Sequence, residues 1–154
     1  VALVIGNSSY EGAAPLANPV NDATDIAAKL RELGFDVVEG QNLGKREMEQ
    51  KIGEFSDRLE GAEAAVLYYA GHGIAVAGRN FVVPVDAALD APAKLKFESI
   101  AVDDIAELMR AQAPVSILIL DACRNNPFGR GPAMATRGAS EGATVAAQSY
   151  AGSY

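Results

Sequence analysis

The chain holds one cysteine and one histidine, and both stand where a reactive side chain is of use. His72 comes shortly after the apolar run Ala64-Ala-Val-Leu-Tyr-Tyr69, and Cys123 shortly after Val115-Ser-Ile-Leu-Ile-Leu120. As strands of one parallel sheet, these runs project both residues from the same rim, outside the carboxyl ends of the strands, where such sheets bind ligands. A thiolate is a strong nucleophile, and an imidazole within hydrogen-bond reach lowers the thiol pKa or takes its proton. Gly71 and Gly73 bracket the histidine and allow close backbone approach. The Gly73 and Cys123 N–H groups would then form an oxyanion hole, each donor contributing about 3 kcal/mol. The plainer readings are a buried, inert Cys123, favoured roughly two to one for a lone cysteine, and a His72 satisfied by loop backbone. The shared rim weighs against both.

The elements that must position these residues alternate between strand and helix. Val1-Ala-Leu-Val-Ile5 is a continuous apolar run closed by Gly6-Asn7-Ser8-Ser9, which predicts a buried strand. After the turn signal Asn18-Pro19, a helix capped by Asn21 or Asp22 runs to about Leu33, with Ile26, Ala27, Leu30 and Leu33 on one face, and Gly34 ends it. Residues 35–38 form a short strand. Residues 45–59 form an amphipathic helix carrying Met48, Ile52, Phe55 and Leu59. Residues 74–83 suit a β-hairpin turning near Gly78-Arg79-Asn80, and a helix over 102–111 is capped by Asp103 or Asp104. Three strands lack polar alternation, the mark of a mostly parallel sheet with helices on both faces. From Asn125 the chain turns to glycine, proline and small residues; 125–142 reads as a loop and 143–150 as a weak strand.

Composition bounds the function. The chain has 154 residues and is 49% hydrophobic, enough for one domain with a core. A net charge of −7 argues against a nucleic-acid partner. No apolar run nears the roughly 18 residues of a membrane helix. One cysteine allows no internal disulfide and no cysteine-rich metal site. The chain begins at Val1 rather than a methionine, as a trimmed or processed chain does; the compartment is not assigned.

At Tyr68-Tyr69-Ala70-Gly71-His72-Gly73 and Asp121-Ala122-Cys123-Arg124-Asn125 the sequence resembles the caspase-like superfamily, most closely the bacterial metacaspases, also called orthocaspases. The interval from His72 to Cys123 matches a caspase signature in which the histidine lies about 50 residues upstream. Val1-Ala-Leu-Val-Ile-Gly-Asn and Asn21-Asp22-Ala23 are similar to the family's opening strand and first helix, so the resemblance covers about residues 1–128. It implies a caspase-like three-layer α/β sandwich, with residues 1–128 as a large-subunit catalytic domain and 129–154 as a loop leading toward a small-subunit region. It implies a Cys-His dyad of Cys123 and His72 with no required third member, an oxyanion hole of Gly73 and Cys123, and a thioester acyl-enzyme. True caspases usually carry Gln two places before the cysteine and cut after Asp. Metacaspase-like members carry Asp there and cut after Arg or Lys. Asp121 holds that position, and Asp22 matches a second acidic wall of the same pocket. A carboxylate in a partly dry pocket selects a guanidinium on physical grounds as well. Otherwise Asp121 is a strand-end residue bonded to loop amides, and Asp22 a helix cap.

Two departures stand out. Ala70 replaces a serine frequent in eukaryotic relatives, and of the small-subunit half that the resemblance leads one to expect, at most residues 143–150 would form the start. The strand 115–120, apolar on both faces, makes a poor bare edge, so a small-subunit segment or another subunit is expected beside it. No cofactor is expected. Asp103-Asp104 resembles a calcium site of some metacaspases, but calcium takes roughly six to eight oxygens, and acids at a helix start are more often caps. Self-cleavage after Arg130 or Arg137 is expected of an Arg-specific peptidase with such a loop. Two rivals stand beside the peptidase: a caspase-like scaffold that binds without turnover, and a phosphate-binding domain using Gly6-Asn7-Ser8-Ser9, which lacks a fingerprint spacing.

Overall fold

In the computed structural model, residues 1–88, 90 and 92–123 are described, with Pro92 and Cys123 described by their backbone. The proposed loop 125–142, the strand 143–150, the region 129–154 and Arg124, Arg130 and Arg137 lie outside the described residues.

Four parallel strands form the centre: β1 (Ala2–Gly6), β2 (Val37–Gln41), β3 (Ala64–Val76) and β6 (Val115–Cys123) stand in the order β2-β1-β3-β6. The first is buried along its whole length, which explains its unbroken apolar sequence. On one face lies α1 (Pro19–Glu32), which packs Ala23 and Ala27 against Ala2, Val4, Val66, Tyr68 and Ala70. On the other lie α2 (Lys45–Asp57) and α4 (Val102–Gln112), whose Met48, Phe55, Ile105 and Met109 pack on Leu3, Ile5, Leu67 and Tyr69. The alternation of strand residues between two helical layers is the three-layer α/β sandwich expected from the sequence. Among the described residues no helix is long and apolar enough to cross a membrane.

The hairpin is present, with a shifted turn. The last residues of β3 pair antiparallel with β4 (Arg79–Val82), from Gly73↔Val82 to Val76↔Arg79. Ala77 and Gly78 both have positive φ, 50° and 78°, the type I′ geometry that matches strand twist in a two-residue loop. The strand β4 in turn pairs with β5 (Ile100–Ala101), reached through a 3₁₀ turn (Pro92–Lys94) and the short α3 (Leu95–Glu98).

Helix starts differ from the sequence expectation. Asn18 is the N-cap of α1 and Pro19 its first residue, so Asp22 lies in the first turn rather than capping it; proline's fixed φ suits that first position. Ala101 precedes α4, and Asp103 and Asp104 sit in its first turn, ion-paired with Arg79 at 3.4 and 3.3 Å.

One buried polar residue fastens the rim. Asn7 is fully buried; its Oδ1 accepts from the Leu43 N–H at 2.9 Å and its Nδ2 donates to the Val83 carbonyl at 3.2 Å. Asn7→Ala strands the Leu43 N–H, leaves the Val83 carbonyl with the Tyr69 hydroxyl alone, and is expected to lower stability by about 2 kcal/mol. Urea unfolding checks this: the midpoint should fall with the slope unchanged.

Candidate active site

Strand β3 changes partners along its length, and His72 sits at the seam between its pairings with β6 and β4. Its register with β6 runs from Ala64↔Val115 to His72↔Cys123, and the antiparallel pairing with β4 begins at the next residue. The sole histidine and the sole cysteine of the chain are therefore register partners on adjacent parallel strands, at the carboxyl ends. The sequence reading ended β3 near Tyr69 and β6 near Leu120; both strands instead run on through the two motifs. On the other flank β1 stops at Gly6↔Ala70, and beyond it the loop leading to α1 takes over.

That loop holds the imidazole. His72 is half-buried, and its Nε2 lies 2.8 Å from the Ala14 carbonyl oxygen. A carbonyl only accepts, so Nε2 carries the proton and Nδ1 of the neutral ring keeps its lone pair. The Tyr10 ring packs on the imidazole with centroids 4.5 Å apart and planes tilted by 54°. The Tyr10 hydroxyl accepts the His72 N–H at 2.8 Å. The loop itself is fastened: the Ser8 and Ser9 amides donate to Asn42 Oδ1 at 2.8 and 2.9 Å, Glu11 N–H to the Val85 carbonyl, and Leu16 N–H to the Ser8 carbonyl. Those bonds consume the amides that a phosphate cradle would need, which weighs against the phosphate-binding reading. Neither Tyr10 nor Ala14 was singled out in the sequence. A backbone carbonyl has no signature there, and a loop tyrosine is unremarkable by type.

The two glycines differ in use. Gly71 has φ +155°, and a Cβ there would meet the Tyr10 and Tyr69 hydroxyls at 2.5 and 2.6 Å. Gly73 is set by strand alternation. The His72 carbonyl accepts the Val83 N–H at 3.1 Å and so faces β4; the next N–H, that of Gly73, turns to the opposite side, where β6 runs.

Asp22 and Asp121 come from distant parts of the chain and act on one phenol. Asp121 is the register partner of Ala70 and Tyr68 that of Ile119, while Asp22 lies on α1, which covers this face. Burial, then the charges of Asp121 and Asp22, push the Tyr68 hydroxyl up to about 12, since neighbouring carboxylates oppose a phenolate. Tyr68 is thus a phenol kept neutral under the influence of two acids, a partner the sequence reading did not name. Beyond Tyr10 on the other side, a groove of about 350 Å³ runs between Tyr10, Ala13, Val83 and Ala88.

Comparison with known proteins places this geometry. The caspase domain family matches residues 1–152. The chain is 36% identical over 126 residues to human mucosa-associated lymphoid tissue lymphoma translocation protein 1, and 37% identical over 126 residues to the homolog from Mus musculus. Each alignment covers 80% of this chain and 15% of the relative, so the chain spans a small part of the length of these relatives. A solved protein from Geobacter sulfurreducens superposes with a TM-score of 0.62 at 20% identity, over 82% of this chain and 51% of that one, and shows the fold alone. With the family match running nearly end to end, the chain belongs to the caspase domain family, a family of caspase-like peptidases.

Proposed function

We propose that this chain is a cysteine endopeptidase that cuts after arginine or lysine, with Cys123 as nucleophile and His72 as general base and acid. The observation that carries the reading is the register pairing of His72 with Cys123 at the strand ends, joined to an imidazole whose Nε2 is anchored on Ala14. Anchoring leaves Nδ1 for the proton. In the proposed cycle His72 Nδ1 takes the Cys123 thiol proton, and the thiolate adds to the scissile carbonyl carbon. The Gly73 and Cys123 N–H groups hold the oxyanion. Collapse breaks the C–N bond, Nδ1–H passes its proton to the leaving amine, and a thioester remains. Water, deprotonated by the same nitrogen, hydrolyses the thioester and restores the thiol. The reaction needs no cofactor.

Asp22 and Asp121, whose charges both act on the neutral Tyr68, would receive the basic side chain. A bidentate guanidinium–carboxylate pair there explains a preference for arginine. Val115 and Ile117 on β6 are exposed at 49% and 39%, and among the described residues β6 pairs with β3 alone. That edge fits a further strand from a small-subunit segment or another subunit, and self-cleavage after Arg130 or Arg137 follows from the same specificity.

Fluorogenic peptides with Arg, Lys or Asp before the cleaved bond test the reading, with and without calcium. Arg and Lys peptides should be hydrolysed, and Asp peptides left intact. Asp121→Asn is expected to lower kcat/KM on the Arg peptide by about a hundredfold, the loss of one desolvated charge pair worth about 3 kcal/mol. Equal cleavage of the Asp peptide would overturn the specificity. Absence of any hydrolysis would favour the scaffold reading.

A further inference from the structure

We propose that Tyr10 is a positioning residue for His72: its hydroxyl and its ring together hold the imidazole so that Nε2 stays on the Ala14 carbonyl and Nδ1 stays free. The inference rests on the peptidase reading for its kinetic arm and on the geometry alone for the rest.

Strand pairing predicts a different partner for the His72 N–H. Residues 72 and 83 stand opposite each other just past Gly73↔Val82, and the Val83 N–H does donate to the His72 carbonyl. In a regular antiparallel pair the reciprocal bond would run from the His72 N–H to the Val83 carbonyl. Here that N–H goes to the Tyr10 hydroxyl instead, and the Val83 carbonyl is taken by Asn7 Nδ2 and the Tyr69 hydroxyl, at 3.2 and 3.0 Å. A side chain from a loop has replaced a ladder bond at the one residue that carries the imidazole.

The proton count of the phenol pair is closed. The Tyr10 hydroxyl accepts from His72 N–H and donates to the Tyr69 oxygen at 3.2 Å. The Tyr69 oxygen also accepts from the Val83 N–H at 3.3 Å, and its one proton is shared between the His72 and Val83 carbonyls, at 2.8 and 3.0 Å. The histidine's peptide groups are thus gripped from both ends, N–H by Tyr10 and C=O by Tyr69. Burial raises the pKa of both phenols, so the pair stays neutral where a peptidase works. The same loop brings the Tyr10 ring onto the imidazole and, four residues later, the Ala14 carbonyl to Nε2. Hydroxyl, ring and carbonyl restrain backbone, ring plane and tautomer in turn. Tyr10 also packs against the hairpin cluster of Ile74, Phe81 and Val83, so a structural role must be separated experimentally.

Tyr10→Phe keeps the ring and removes the hydroxyl; Tyr10→Leu removes both. Because the 154-residue chain has a single histidine, its Nε2–H resonance can be read by ¹⁵N-edited NMR without assignment. The expected result is a protected Nε2–H signal in the wild type, weakened in Tyr10→Phe and lost to water exchange in Tyr10→Leu. On the Arg peptide kcat should fall about tenfold for Phe, one hydrogen bond, and about a hundredfold for Leu, with KM nearly unchanged and a fall in melting temperature of no more than about 5 °C. An unchanged Nε2–H signal in Tyr10→Leu overturns the proposal. So does a raised KM at constant kcat, which would make Tyr10 a wall of the neighbouring groove. A wild type that cleaves no peptide sinks the peptidase reading, and the NMR arm then decides the positioning role by itself.

Discussion

His72→Gln is expected to lower kcat on the Arg peptide by about a thousandfold or more, the range that one general acid–base residue supplies, while Cys123→Ala falls to background. Glutamine is chosen because its amide can still donate to the Ala14 carbonyl, which His72 meets at 2.8 Å. The loop then stays closed and only proton transfer is lost. KM should therefore hold within about threefold, as for a residue acting on the chemical step. Alkylation of the single cysteine by iodoacetamide gives a second readout. On the proposed mechanism the wild type should be alkylated faster than His72→Gln at the same pH, because a neighbouring imidazole that takes the thiol proton raises the thiolate fraction. Activity in His72→Gln within tenfold of wild type would remove the imidazole from the mechanism.

Gly71→Ala is expected to destabilise the fold by about 3 kcal/mol and to abolish turnover with it. Two costs combine. The backbone at φ +155° is one that side chains rarely adopt, and the new methyl would sit 2.5 Å from the Tyr10 hydroxyl and 2.6 Å from that of Tyr69. Strain and overpacking each contribute roughly 1–3 kcal/mol. Neither phenol can step aside without releasing the His72 peptide, since Tyr10 holds its N–H and Tyr69 its C=O. Thermal unfolding followed by circular dichroism should show a drop of about 10 °C for a chain of this size. A variant that melts within 2 °C of wild type (a small fraction of that roughly 10 °C drop) would mean that the loop gives way easily, and that the phenol pair does not fix the histidine.

The strands were legible where burial on two sides leaves no room for polar residues. That is why β1, the first part of β3 and β6 stand out as apolar runs. The continuation of β3 through Gly71-His72-Gly73 was not legible, because glycine reads as a stop. Here it is required by the hydroxyls of Tyr10, from a distant loop, and of Tyr69, on the same strand, a fact of tertiary contact. The first turn of α1 was misread from Asp22, although Pro19 carried the better signal, a residue with no N–H to lose at a helix start. The two-residue β5 was missed because a strand that short has no period. Of the site, the shared rim of His72 and Cys123 was legible, while their register pairing needed the adjacency of β3 and β6 that only the fold supplies. The grouping of Asp22 with Asp121 came from resemblance and not from spacing, and the tyrosine that feels both charges was not read at all. The Ala14 carbonyl and the Tyr10–Tyr69 pair had no trace in residue type, because what they contribute is placement.

Strand β3 has neighbours on both flanks, β1 and β6, whereas β6 leans on β3 alone among the described residues. Opening free energies follow such differences in support. His72 is thus mounted on the anvil of the fold and Cys123 on its lighter arm. On the proposed mechanism, whatever comes to lie along β6 opposite β3 would steady Cys123 far more than His72, so a partner strand would tune the rate by quieting the nucleophile rather than by moving the base.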